Sequence, residues 1–222
     1  MNWSGSAGRP ERSGRGTITR DRSTSASVAG GALDCGSPLC HEPPHPRLSI
    51  STRGCWCMAF CESRAQFAVG WLTGGNRRRF EAMASGTGQP MGILASMSGE
   101  PVGWYACGAR SRYAVADGGR SSLLQGLERK EDEAAWLLPC LFVRAENRGQ
   151  GVTYGLIRAA VELARQEGAW AIEGWPTAGS DRRPSDGFVG RESVFEDLGF
   201  RCVTRPNPQR AIIRLELRGT DH

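Results

Sequence analysis

The sequence predicts a single mixed α/β domain spanning roughly residues 53–218. Three observations predict it. Helical and strand-like apolar patterns succeed one another as α-α-β-β-β-α-β-α-β-β, with no internal repeat. The period changes abruptly at Val152, where a buried run gives way to an amphipathic helix. Finally, 39% hydrophobic residues in a chain of 222 suffice for one core, and they are concentrated beyond residue 50.

Residues 1–50 are dominated by Ser, Gly, Arg, Pro and Thr and hold no apolar run that a helix or strand could bury. Such a segment cannot offset its ordering entropy, so residues 1–52 are expected to be disordered, or to be an over-extended start with Met58 at the edge of the folded part. Residues 219–222 read as a short tail.

The elements follow in order. Residues 62–72 carry apolar side chains at helical spacing, and Gly74 and Gly75 end them. Asn76 is a good cap for a second short helix. Residues 91–109 form a hairpin around Ser98, Gly99 and Glu100. Residues 111–133 are polar and read as a long loop. "AWLLPCLFV" is a buried strand in which Pro139 marks a bulge or break. Val152, Leu156, Ala160, Leu163 and Glu167 fall on one side of the long helix, with Ala164 widening the stripe, and Gly168 closes it. "AWAIEGWP" is a strand, residues 177–188 a loop, and "GRESVFEDLGF" a short helix ending at Gly199. "RCVTR" and "RAIIRLEL" are the last strands, the second alternating Ala211, Ile213, Leu215 and Leu217 against Arg214 and Glu216.

Charge and cysteine content exclude several function classes. Residues 1–50 hold six Arg and four acids of the 28 basic and 23 acidic residues, leaving 22 against 19, a mild excess without a basic block. No signal-peptide core is present and "AAWLLPCLFV" is far short of a membrane span, so a cytoplasmic protein is expected. Cys35, Cys40, His41, His45, Cys55, Cys57 and Cys61 crowd one region, but their spacings lack the paired C-x2-C of a structural zinc site, and no metal is expected. Cys107, Cys140 and Cys202 sit in strand-like contexts and read as reduced core thiols; Trp71, Trp104 and Trp136 read as core packing. All three histidines, His41, His45 and His222, lie in the tails, which removes a His-activated Ser or Cys nucleophile, including Cys140, from the core.

The informative stretch is "LFVRAENRGQGVTYGLI". Gly149 and Gly151 stand where a helix begins, so they either shape a tight turn or open the helix N-terminus to an anion. Arg148 adds a cation at the same place. The dinucleotide fingerprint fails because Tyr154 occupies its third glycine, and the P-loop fails for lack of G-K-[ST].

These residues, with "VFEDLGF", "GILASMSGEPVGWYACGAR" and "CWCMAF", resemble the GNAT superfamily of N-acetyltransferases over about residues 55–218. The resemblance implies a GNAT-like domain: a mixed central sheet flanked by helices on both faces, with a splay between two parallel strands, here 136–143 and 169–175. It implies acetyl-CoA as co-substrate, with pyrophosphate on the backbone of Arg148, Gly149, Gln150, Gly151, Val152 and Thr153. Leu141, Phe142 and Val143 would meet the pantetheine arm, and an amide at Phe142 or Val143 would polarise the thioester carbonyl. Three positions depart from the pattern: Glu146 replaces the motif's first Gln or Arg, Ala145 a frequent Pro, and Phe195 the tyrosine that protonates the departing thiolate.

For proton handling the sequence offers Glu173, between Trp170 and Trp175, as general base, against an ordinary salt-bridged strand carboxylate. Ser193 and Tyr154 are candidate thiolate partners, and Trp175 stands at the mouth. The implied function is direct transfer of an acetyl group to a primary amine of a small molecule or peptide. The alternative is a non-catalytic acyl-CoA-binding domain. A nucleic-acid role for the Arg-rich tail and Arg77, Arg78 and Arg79 finds no motif. Neither nucleic acid nor membrane is an expected partner, and a homodimer stays open.

Overall fold

A computed structural model describes residues 27–28, 54–87, 89–97, 100–113, 115–116, 119–120, 124, 127–178 and 188–217. Apart from 27–28, the expected disorder of 1–52 and the tail at 219–222 lie outside the described residues, as does the body of the expected 177–188 loop. In chain order the elements are β1 (Ser27–Val28), α1 (Arg64–Thr73), α2 (Gly75–Thr87), β2 (Gly92–Met97), β3 (Glu100–Ala109), β4 (Val115–Ala116), β5 (Gly119–Arg120), β6 (Ala135–Val143), α3 (Val152–Gln166), β7 (Ala171–Gly174), α4 (Glu192–Glu196), β8 (Arg201–Asn207) and β9 (Arg210–Glu216).

The central sheet runs β1-β2-β3-β6-β7-β9-β8. All its pairings are antiparallel except β6–β7, which is parallel. Helix α3 covers one face: Val152, Leu156, Ile157, Ala160 and Leu163 pack with Ile93, Tyr105, Leu141 and Val143, and Phe195 of α4 joins them. Phe80 and Ala84 of α2 cover the other face against Trp104, Ala106, Cys140 and Phe142. Each fully buried Leu, Ile or Phe contributes about 1.5–3 kcal/mol, so the α3 stripe alone anchors that helix firmly. This is the mixed sheet with helices on both faces expected from the sequence. Within the predicted 111–133 loop lie the short β4–β5 pair and two 3-10 turns at Arg110–Tyr113 and Arg129–Glu131. Among the described residues no helix is long and apolar enough to cross a membrane, and no group of three metal-ligating side chains forms.

Three local expectations are corrected. Asn76 does not cap α2; it is buried inside the helix, donating Nδ2 to the carbonyls of Gly54 (2.6 Å) and Phe67 (3.4 Å). The chain has already turned at Gly74, whose φ of 70° ends α1, so no second cap is needed. Cys202 is exposed because β8 is an edge strand that no described residue buries on either face. Trp71 is 46% exposed and stacks edge-on against Phe67 at 5.8 Å rather than entering the core.

Burial pushes several thiols up: Cys55 to about 11, and Cys61 and Cys107 to about 12, from an ordinary 9.0. The folded chain therefore keeps protons that the unfolded chain releases. The stability these groups contribute is whole below pH 9 and is lost as pH rises from 9 toward 12, at about 1.4 kcal/mol per pH unit for each thiol. Melting curves at about pH 8 and about pH 10.5 should show a large fall in Tm, reduced in Cys107→Ala. Parallel slopes for the two proteins would contradict this.

Candidate functional site

The site begins where two parallel strands part. β6 and β7 are paired from Ala135↔Ala171 to Leu138↔Gly174 and no further, while β6 runs on to Val143 beside β3 alone. The register along β3 shifts between Ala106 and Gly108: Cys140 faces the first and Leu137 the second, so β6 carries one extra residue around Pro139. Proline has no N–H to lose from a ladder, so it marks the bulge cheaply. Trp175, the first residue beyond β7, crosses the gap, and its Nε1 donates to the Pro139 carbonyl at 3.0 Å. It is 2% exposed and serves as a peg holding the splay.

The direction of the β6 peptides follows from one bond. Arg144 N–H donates to Val102 O on β3 at 2.9 Å. Antiparallel pairing alternates, so Phe142 also turns its peptide N–H toward β3, whereas those of Leu141 and Val143 point into the splay. This corrects the expectation that Phe142 could supply the polarising amide; of the two positions named, only Val143 faces the opening.

A 3-10 turn at Ala145–Asn147 leads from β6 to Arg148, Gly149 (φ 77°) and Gly151 (φ 82°). A β-carbon on either glycine would meet nothing within 4 Å, so packing does not demand glycine there. The left-handed backbone does, and so does open access to the turn's peptide hydrogens. Gly151 is the N-cap of α3, and no side chain caps the first turn, which leaves its N–H groups pointing outward. Close approach is also built in at Gly103 of β3, where a β-carbon would lie 3.0 Å from Val152 and 3.1 Å from Leu156. Its absence lets the start of α3 settle onto the sheet.

These parts bound a cleft of about 500 Å³. Leu141, Phe142 and Val143 form its floor. Asn147, Arg148, Gly149, Gly151, Val152, Thr153 and Tyr154 form one wall, and Phe188, Gly190, Arg191 and Val194 the other. Every residue expected at the cofactor is therefore brought together except Gln150, which does not line the cleft and whose exposed side chain folds back to donate to Glu146 O at 2.9 Å. Arg148 and Arg191 are both lining residues, and Arg148 Nε donates to Val143 O at 3.2 Å. Glu146, paired with Arg144 at 2.8 Å, is held below the usual carboxylate range by its own backbone N–H and by that arginine. Tyr154 donates its hydroxyl to Asp197 at 2.6 Å, which raises its pKa and keeps it protonated. The α4 wall was missed from sequence because its contribution depends on how a short helix docks, although "VFEDLGF" lies beside it.

The catalytic expectations fare differently. Glu173 is wholly buried and does not line the cleft. One carboxylate oxygen accepts from Arg110 at 2.8 Å and the other from Arg214 Nε at 2.8 Å, so both lone-pair faces are committed. Side chains alternate along a strand: Ile172 points to the α3 core, and Glu173 therefore points to the opposite side. The salt-bridged carboxylate weighed against the general base is what the structure holds. Ser193 is on an exposed part of α4, outside the lining, though its neighbour Val194 reaches in. Phe195 is fully buried, 5.1 Å from Phe200, and fills the space above Gly174 and Gly190, so its position supplies no acid.

No family model and no curated protein matches the chain. Solved structures do resemble it. Ribosomal-protein-alanine N-acetyltransferase from Brucella melitensis aligns at 16% identity and TM-score 0.44, over 64% of this chain and 78% of that one. An acetyltransferase of the GNAT family from Streptococcus pneumoniae aligns at 12% identity and TM-score 0.42, over 64% and 76%. A Salmonella typhimurium structure with its cofactor acetyl-CoA aligns at 12% identity and TM-score 0.44, over 66% and 76%. These scores all lie below 0.5, and the reading of the site rests on its own geometry.

Proposed function

We propose that the protein is an acetyl-CoA-dependent N-acetyltransferase that passes the acetyl group directly to a primary amine of a small molecule or peptide. One observation supports this above the others: a single cleft joins an uncapped helix N-terminus behind two left-handed glycines to a strand with two amides facing the opening beyond its pairing with β7. The backbone N–H groups from Arg148 to Thr153 suit a diphosphate, and the dipole of α3 adds to them. The edge of β6 at Leu141 and Val143 suits an amide-bearing arm laid down like a strand, with the Val143 N–H donating to charge that develops on a carbonyl oxygen.

In this reading acetyl-CoA supplies an activated thioester. The amine nitrogen attacks its carbonyl carbon, the C–S bond breaks, and the amine gives up a proton while the thiolate gains one. Among the described residues that line the cleft, none is a carboxylate or a histidine. In this reading the amine enters as its free base, and juxtaposition supplies much of the rate, for which effective molarities of about 10^5 M or more are available. The protein would work in the cytoplasm, with neither nucleic acid nor membrane as partner.

The test is thiol release from acetyl-CoA across a broad amine library, with calorimetric titration of coenzyme A beside it. Turnover with at least one amine, rising with pH toward that amine's pKa, is expected. Absence of heat with coenzyme A would end the reading. The second reading, a binding domain without catalysis, is favoured by the buried phenyl of Phe195 and the committed carboxylate of Glu173. It predicts coenzyme A heat with no thiol release.

Glu146 offers a further check. Replacing this exposed acid by arginine should tighten coenzyme A binding about two- to fivefold at low salt, and the gain should shrink at high salt. An affinity indifferent to both charge and salt would place the phosphates elsewhere.

A further inference from the structure

The charge on the cleft lining is one-sided. Among the described lining residues only Arg148 and Arg191 are charged, and both are cations. Glu146 brings an acid to the turn that leads into α3, but Arg144 pairs with it at 2.8 Å, and Arg144 Nη1 also donates to Pro101 O at 3.5 Å, beside β3. Neither Glu146 nor Arg144 lines the cleft. Arg148 belongs to the turn itself, whereas Arg191 stands on the facing wall and has no part in the proposed function so far.

The backbone fixes where Arg191 stands. Gly190 has φ 78°, and a β-carbon there would lie 3.1 Å from Phe195 Cε2 and 3.8 Å from Leu141 Cδ2. The chain is thus pressed onto the cleft floor as glycine allows. Thr177 N–H donates to Gly190 O at 3.2 Å, and Thr177 forms a parallel bridge with Arg191 just past β7. Arg191 is extended, with φ −108° and ψ 139°, and α4 follows it. The flanking residues show which side of the sheet this is. Phe188 packs with the cluster of Trp104 and Phe142 under α2. Leu141, Phe195 and Val194 belong to the core under α3. Between Phe188 and Val194 the chain therefore passes from one face of the sheet to the other, and Arg191 comes after the crossing, on the side of α3 and its open turn.

The Arg191 guanidinium is also uncommitted among the described residues. Two acids of the same segment are engaged elsewhere. Glu192 accepts from both terminal nitrogens of Arg205, at 2.5 Å and 3.2 Å. Asp197 accepts from Tyr154 at 2.6 Å. Across the cleft, Arg148 gives only its Nε to Val143 O. An exposed guanidinium on a tethered backbone, with no acid of the lining to hold it, keeps its planar fork of donors for an incoming oxyanion.

We propose that Arg191 is a phosphate-binding residue for coenzyme A, gripping the ligand from the wall opposite the glycine turn. This rests on the cleft being the coenzyme A site, as proposed above. The turn presents peptide N–H groups on one side, and Arg191 presents a charged fork on the other. A phosphate between them is held from two directions, and the two lining cations offset its charge. The same placement answers the acid at Glu146: the second cation of the grip comes from the start of α4, 45 positions on in the chain, rather than from the turn.

The experiment is calorimetric titration of coenzyme A into the full chain and its Arg191→Gln variant, at about 50 mM and about 300 mM salt. Binding about 5- to 20-fold weaker in the variant is expected at the lower salt, with a smaller ratio at the higher. The melting temperature should not move, since the side chain is exposed and bonds to no described residue. Arg78→Gln removes an equal charge from the exposed side of α2, on the other face of the sheet, and should leave the affinity unchanged. Adding Glu146→Arg to Arg191→Gln should recover part of the loss. Dephospho-coenzyme A then assigns the phosphate: an equal loss with it places Arg191 on the diphosphate, and a loss confined to coenzyme A places it on the 3′-phosphate. If Arg191→Gln binds coenzyme A as tightly as wild type, the proposal is overturned while the cleft remains the coenzyme A site. An equal loss in Arg78→Gln overturns it too, because net charge alone would then explain the effect. Absence of heat with the wild type ends both readings together.

Discussion

Arg110→Ala should lower the melting temperature by about 10 °C, because breaking a buried ion pair from one side costs about 3–5 kcal/mol. Arg110 has no exposed surface, and its guanidinium is fully used. It donates to Glu173 at 2.8 Å, to Asp132 at 2.6 Å and to Glu128 O at 2.6 Å, with Glu131 at 3.6 Å. Without it the Glu173 carboxylate, equally buried, keeps only Arg214. β7 would lose its tie to the turn after β3 and to the segment before β6, one residue short of the splay. Glu173→Gln tests the same network from the other side. A general base would show a large fall in turnover at unchanged Tm, whereas a strut shows a fall in Tm first. Thermal unfolding followed by circular dichroism separates these outcomes, and an unaltered Tm in both variants would remove the strut.

Gly151→Val should weaken coenzyme A binding about 10- to 100-fold, since a β-branched residue at φ 82° is strained by about 1–3 kcal/mol and its side chain stands before the open amides. The Gly168→Ala variant is the control. Gly168 has φ 76° and an equally empty surrounding, but it lies past the far end of α3. It should show a comparable kind of stability loss with unchanged affinity in calorimetry. Equal affinities for wild type and Gly151→Val would show that the turn does not hold the ligand.

Several features of the fold were legible because they are local. The stripe of α3, the alternation of β9, the bulge at Pro139 and the glycine turn each follow from residues a few positions apart. The cleft was legible for the same reason: its floor and one wall are contiguous in sequence, from Leu141 to Tyr154. Its second wall, from Phe188 to Val194, was not, because docking a five-residue helix depends on distant packing around Phe195.

The sequence by itself determined the order of the elements and the place of the helix-entry turn, since backbone sterics and hydrophobic period act over a single turn or strand. Tertiary structure alone decided what Glu173 and Asn76 do. Glu173 meets an arginine 63 positions away, and Asn76 reaches a carbonyl 22 positions back. Burial and charge pairing are properties of neighbours in space, and an isolated acid, amide or thiol in a chain carries no record of which neighbours folding will bring to it.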